Sequence, residues 1–258
     1  MTGSRRHQRG AVLILVLWIT SLLTIMLAAF SMTVRIDRQV AGDMLQQVRA
    51  QAAADSVLNY LAAVRQVDPD RWESMPGEVF RLPWEGLDVH FRLIPETAFV
   101  SLNTAPEDML EAVFAGLESA DARSLAAAVV RRREGDLEAA EDIDRQPRPW
   151  ISVDELLLLG DGLERVAGLH RFFTVHGSHV EVDARFAAEP LLDLLGGTDY
   201  LQESQEDAAL TTDAFRIQIE LGQGVRRRRL EVSARFVADG VGYQVLHTNL
   251  YNVSFTLD

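Results

Sequence analysis

The 258-residue chain contains no cysteine. That excludes a disulfide framework, thiol catalysis, a Cys-ligated zinc site and an iron–sulfur cluster. Lysine is missing too. All 25 basic residues are arginine, set against 38 Asp and Glu, for a net charge of -13. An acidic chain suits a phosphate backbone poorly, so no nucleic-acid partner is expected. Helix breakers are scarce early. The first proline is Pro69, and Gly42 is the only glycine between Gly10 and that point. Nothing in that stretch stops a helix. Apolar residues make up 48%, enough to build a core, which excludes a fully disordered chain.

Residues 1–10, MTGSRRHQRG, carry Arg5, Arg6 and Arg9 and no acid. Residues 11–34 follow, 24 positions without a formal charge. At about 1.5 Å per residue they make roughly 36 Å of helix, enough to cross a bilayer. A secretory signal peptide has a shorter apolar core and a small-residue cleavage site at its far end. Here the run passes into RIDRQVAGDMLQQVRA without a break. Ile36, Val40, Met44 and Val48 recur every four residues, and Ala53, Val57, Tyr60, Leu61 and Val64 continue the stripe. The pattern predicts one helix over residues 11–66, apolar all round in its first half and amphipathic in its second. The plain reading is a single-pass membrane anchor. Three arginines precede the apolar run and Arg35 and Arg38 follow it, so the positive-inside count leaves orientation open.

Farther on, Leu87, Val89, Phe91 and Leu93 alternate with Asp88, His90 and Arg92, the pattern of a half-buried strand. Phe215, Ile217, Ile219 and Leu221 form another. Leu230, Val232, Ala234 and Phe236 follow a Gly-containing turn, and a last strand is expected over 243–254. The expected fold class is α+β. An antiparallel sheet of residues 68–95 and 206–258 packs on the soluble half of the long helix, 35–67, with a helical domain inserted at 96–205. In that insertion Thr104 and Glu107 are spaced as a capping box, with Pro106 in the first turn and Gly116 at the end. A second helix is expected over 120–134, with Arg131, Arg132 and Arg133 at the end where the dipole favours cations. A faint repeat at a spacing of 80 pairs Val100 with Val180, Leu102 with Val182, Asn103 with Asp183 and Gly116 with Gly196. Two copies are too few for a solenoid.

Candidate chemistry is sparse. His170, His176 and His179 lie in a strand-like stretch, HRFFTVHGSHV, whose alternation puts His176 and His179 on opposite faces. Solvent-facing or locally bonded imidazoles are expected there rather than a metal site. Ser178 has no nucleophile-elbow context. The acids Glu134, Asp136, Glu138, Glu141, Asp142 and Asp144 lack the alternation that wraps oxygens round one calcium. The four arginines at 226–229 split between the faces of a strand and read as a solubilising edge. LEAVFAGLESADARSLAAAVVRRR has the helix–turn–helix look of a helix-hairpin-helix DNA module, but its turn carries Glu118 and its surroundings are acidic. No catalytic residue is found, and an enzyme is not expected.

A basic leader ending in Gly10 and abutting an apolar helix resembles a prepilin-type signal. The resemblance implies cleavage by a prepilin peptidase between Gly10 and Ala11, and methylation of the new amino terminus at Ala11. Most members of that class carry Glu at the fifth mature position, where it pairs with the amino terminus of a neighbouring subunit. Here the position is Leu15. A carboxylate in hydrocarbon is costly unless paired, so its replacement by an apolar residue points to a subunit with no neighbour above it.

The leader and helix RGAVLILVLWITSLLTIMLAAF, the run AADSVLNYLAAV, the phrase VSLNTAPEDMLEAVFAGL and SVDELL before a Gly-containing turn together resemble the minor pseudopilin K family of bacterial type II secretion systems. The resemblance covers nearly the whole chain. It implies a structural protein that initiates and caps the pseudopilus. The implied partners are minor pseudopilins I, J and H, the prepilin peptidase and the inner-membrane assembly platform. The implied location is the inner membrane, spanned once, with the carboxyl-terminal domain in the periplasm. Ile36, Val40, Met44 and Val48 lie beyond the reach of a compact domain, and are expected to pack on helices of other subunits. Longer members carry a DWRD-like run that helps form calcium sites. That run is absent here, so no cofactor is expected, and a calcium ion on the acidic stretch is the one candidate. The alternatives are a minor pilin of a type IV or DNA-uptake pilus, and a membrane-anchored helix-hairpin-helix protein.

Overall fold

A computed structural model describes residues 5–117, 121–135, 146–159, 168–196, 198–202, 212–223, 226–237 and 242–251. The chain divides into two compact units, Met1–Ala52 and Ala53–Asp258. Helix α1, Arg5–Val67, runs through both. It starts six residues earlier than the apolar run predicts, so Gly10 lies inside it. It ends one residue later, where Asp68 N–H donates to the Val64 carbonyl at 2.9 Å. Asp68 then turns N-cap for α2, Pro69–Ser74, accepting from the Arg71 amide at 3.2 Å, with Pro69 in the first turn.

In the first unit, the helix is long and apolar enough to cross a membrane, and none of its most apolar window is buried. Three of its hydroxyls are satisfied from within. Thr20, Thr24 and Thr33 donate to carbonyls one turn back, on Val16, Thr20 and Ala29.

The second unit begins where α1 acquires a buried face. Ala53, Ala54, Val57, Leu58, Leu61 and Ala62 are almost wholly buried. The elements then run in order: β1 (Val79–Trp84), β2 (Leu87–Pro95), β3 (Val100–Ser101), α3 (Glu107–Gly116), α4 (Ala122–Glu134), β4 (Phe173–Thr174), β5 (Val182–Asp183), α5 (Glu189–Leu195), β6 (Leu201–Gln202), β7 (Ala214–Gln223), β8 (Arg226–Phe236) and β9 (Tyr243–Tyr251). Five of the strands form one antiparallel sheet in the order β1-β2-β7-β8-β9. The alternation read from the sequence sets its faces. Phe91, Ile219 and Leu230 are in register across the buried face, as are Leu93, Ile217 and Val232. Tyr60 of α1 meets Phe91 edge-on, and Arg65 Nη1 donates to the Phe236 carbonyl. Thus the long helix and the sheet share one core.

Several expectations are corrected. Strand β1 was not foreseen; it lies at the sheet edge, where Pro83 forfeits no interior ladder bond. It joins β2 through Glu85 and Gly86, both at positive φ, the geometry of a two-residue hairpin turn. The arginines at 226–229 begin β8, an interior strand paired on both sides, rather than an edge. The last strand is described only as far as Tyr251. Pro106, not Thr104, is the N-cap of α3, and the Thr104 hydroxyl instead donates to the His179 carbonyl. Helix α4 starts at Ala122 rather than residue 120.

The segment between β2 and β7 is not purely helical. It carries two parallel strand pairs, β3 with β4 and β5 with β6. The internal repeat is visible, but at a spacing of 82 rather than 80. Val100–Ser101 and Val182–Asp183 are strands, and Glu107 and Glu189 each open a helix. In this register buried Met109 matches Leu191, and Val113 matches Leu195. Gly116 permits the approach of α3 to α5: a Cβ there would sit 2.0 Å from Leu194 Cδ2.

The two environments of α1 are separable by mutation. Leu61 is fully buried and Leu45 is 54% exposed. In the full chain in detergent, Leu61→Ala is expected to cost about 2–5 kcal/mol of urea-unfolding stability. Leu45→Ala is expected to change it by no more than about 0.5 kcal/mol. Equal losses would contradict this division of the helix.

Candidate functional site

Ile36, Val40, Met44 and Val48 fall at intervals of four on α1, so they lie close to one face. They are 47%, 47%, 63% and 65% exposed, and Leu45 beside them is also exposed. Within the helix this is an exposed apolar stripe. Leu15 is likewise 61% exposed in the apolar run. Gly10 and Ala11 lie in helical backbone.

A polar cluster forms where the segment after β2 meets the sheet. Glu96, in a 3-10 turn directly after β2, is fully buried. Arg216 on β7 reaches it with Nη2 at 3.2 Å, and Ser233 on β8 donates to Oε1 at 2.8 Å. Arg216 also donates to the carbonyls of His170 and Phe173, and lies 3.7 Å above the Phe99 ring. Burial works against the Glu96 charge. Arg216 and hydrogen bonds from Thr174 and Ser233 outweigh it and hold the carboxyl below the ordinary Glu range.

The rings of His170 and His179 are locally bonded, as expected, but little of the stretch is strand. Only Phe173 and Thr174 of the stretch are extended strand. His170 Nε2 lies 2.9 Å from Asp154, and His179 Nε2 lies 2.7 Å from the Phe99 carbonyl. Burial lowers the basicity of His176 and His179, with Glu96 opposing in both. His247, which the sequence reading passed over, lies next to His170 and His176. Glu96 and Arg216 were passed over as well. Their only signal was a charge interrupting apolar runs, in IPETAF and AFRIQIEL. Among the described residues no group of His, Asp and Glu is arranged to hold a metal ion. Residues 136–145, with most of the acidic run, lie outside the described residues.

The phrase SLNTAP has a structural task. Asn103 Oδ1 accepts from the Trp150 amide at 2.8 Å, and its Nδ2 donates to the carbonyls of Trp150 and Val175. In SVDELL, Ser152 caps a 3-10 turn over Val153–Leu158. Both motifs bond to backbone groups of the same chain.

Arg216→Met is expected to leave Glu96 buried without its cation and to cost about 3–5 kcal/mol near neutral pH. In the wild type the lowered Glu96 pKa contributes stability above the ordinary Glu value, lost as pH falls through the folded pKa. The gap between wild type and variant therefore shrinks in acid. Urea midpoints of the full chain in detergent, at neutral and acid pH, measure it. A gap that widens in acid would contradict this account.

No family and no curated protein matches this chain. Among solved structures it is similar to a chain of the GspK–GspI–GspJ complex from the type 2 secretion system of enterotoxigenic Escherichia coli. The likeness has 11% sequence identity and a TM-score of 0.48, and covers 80% of this chain and 100% of that one.

Proposed function

We propose that the chain is a minor pseudopilin of type II secretion, of the K class, that starts and caps the tip of the pseudopilus. Its role is structural, with no catalytic step. One observation carries this reading. A single helix is both an exposed apolar span and, from Ala53 onward, the core element of an antiparallel-sheet unit. Such a helix stores the subunit in a bilayer and then serves, after extraction, as the packing stem of a fibre. Exposed apolar area is stabilised by burial at about 25 cal/mol per Å², whether the cover is lipid or another helix. The leader ending at Gly10 supports processing by a prepilin peptidase, with methylation of Ala11. Leu15 supports a position with no subunit above. The stripe Ile36, Val40, Met44 and Val48 supports packing on pseudopilins I and J, with H below. In this reading the sheet unit lies in the periplasm, and the inner-membrane platform drives assembly.

Processing is tested by the mass of the chain isolated from cells with active peptidase. The wild type is expected to begin at a methylated Ala11, and Gly10→Val to keep its leader. A wild-type chain that retains the leader contradicts the proposal.

The stripe is tested by co-purification of the full chain with I and J from detergent-solubilised membranes. Burying one Val or Met there is worth about 1.5–3 kcal/mol. Val40→Asp and Met44→Asp are expected to reduce recovery of the complex about tenfold or more, with the unfolding midpoint unchanged. No complex with wild type removes the tip assignment. Undiminished complexes with both variants remove the stripe as the interface.

A further inference from the structure

The exposed stripe on α1 has charged borders, and their signs are sorted. At about 100° of turn per residue, Asp37 and Asp43 fall about 60° to either side of Val40, in the middle of the stripe, and about 9 Å apart along the axis. Arg35, Arg38 and Arg49 all fall more than about 130° from Val40, on the far side of the helix. All five charged side chains are exposed. The arginine side carries Leu45 as its large apolar residue over this stretch.

This arrangement selects what can cover Ile36, Val40, Met44 and Val48. A second copy is a poor cover in either pose. Two copies that share one orientation in a bilayer meet as parallel helices. Packed stripe to stripe, each Asp37 comes to the flank that carries the other copy's Asp43, acid toward acid. Packed stripe to arginine side, the charges agree, but Leu45 alone meets four apolar side chains. A helix of another chain, with an apolar stripe bordered on both sides by Arg or Lys, meets both demands. Long basic side chains lie along an apolar edge and carry their charge out to the carboxylates. Border charges choose partners in coiled coils in the same way.

We propose that the occupant of the stripe is such a helix: the stem of a different subunit, apolar along its contact line and basic at its borders. The proposal rests on the reading of the stripe as an interface. Apolar burial supplies the affinity, and the two acids choose the partner. Asp43 also interacts within the chain, so Asp37 is the charge to vary.

The absence of cysteine makes the test direct. The full chain carrying Val40→Cys is placed in phosphatidylcholine vesicles at low salt, and disulfide-linked dimer is measured after oxidation. With Asp37 in place, dimer is expected to be scarce. Adding Asp37→Arg supplies a cation opposite the other copy's Asp43, and dimer is expected to rise about fivefold. The rise is expected to fade at about 0.5 M salt. Asp70→Arg makes the same change of charge on exposed α2, and is expected to give no rise. Abundant dimer with Asp37 in place overturns the proposal and makes a second copy the occupant. No rise with Asp37→Arg, or an equal rise with Asp70→Arg, overturns it as well. In co-purification with I and J, Asp37→Arg is expected to cut recovery about fivefold, and undiminished recovery also overturns the proposal. A wild type that recovers neither I nor J instead removes the pseudopilin reading, and the cross-linking result then decides this proposal by itself.

Discussion

The segment between β2 and β7 hangs from one buried ion pair. Glu96 lies at the point where the chain leaves β2, and Arg216 lies on β7 where the chain has returned. Ser233 on β8 completes the carboxylate's partners. Arg216 also binds the carbonyls of His170 and Phe173, the residues that lead into β4. A single guanidinium thus joins the departing chain, the returning sheet and the turn that leads into β4. Such a pair is weak evidence for net stability, because removing two charges from water offsets most of their attraction. Its geometry matters more. A planar fork with fixed donor directions accepts one arrangement of these strands and rejects a slipped one.

The long helix solves a different problem. Its sequence changes character along its length, while its backbone does not. Alanine at 53, 54 and 62 keeps the helix close to the sheet, and Val57, Leu58 and Leu61 fill the space between. Nearer the start, large apolar side chains point outward at every turn, and each is exposed. The absence of proline before Pro69 is what allows one helix to serve both surroundings.

Much of this was legible in the sequence. Strict alternation in LDVHFRL and FRIQIEL announced β2 and β7 because one face of each is buried and the other is polar. Periodicity announced α1. The edge strand β1 was missed because its alternation never reaches full burial and Pro83 interrupts it. The cap of α3 was misassigned because a Thr spaced three before a Glu fits a capping box, yet the Thr104 hydroxyl found a tertiary acceptor on His179. Local rules lose when a distant carbonyl competes. The ion pair and the histidine cluster were hidden for the same reason. Their members lie up to 137 residues apart, and nothing local marks Glu96 as the partner of Ser233. The repeat was seen in the wrong register because glycines were aligned instead of the buried positions of the two helices.

The basic end of α4 bears on the resemblance to a helix-hairpin-helix DNA module. That module works by presenting backbone amides and cations to phosphate. Here two of the three terminal arginines are engaged within the chain. Arg132 pairs with Glu155 at 2.6 Å and lies 4.0 Å over the Trp150 ring. Arg133 donates to the carbonyls of Leu102 and Ala105, the last residues before the α3 cap. Freeing either arginine for a phosphate would take from Glu155 its cation, or from those carbonyls that donor, in a part-buried site, at a cost of about 1–3 kcal/mol each. A phosphate contact at the surface returns little more than that, and salt erodes it further. The arginines therefore brace the α3–α4 hairpin against the Trp150 segment, and the hairpin owes its shape to packing.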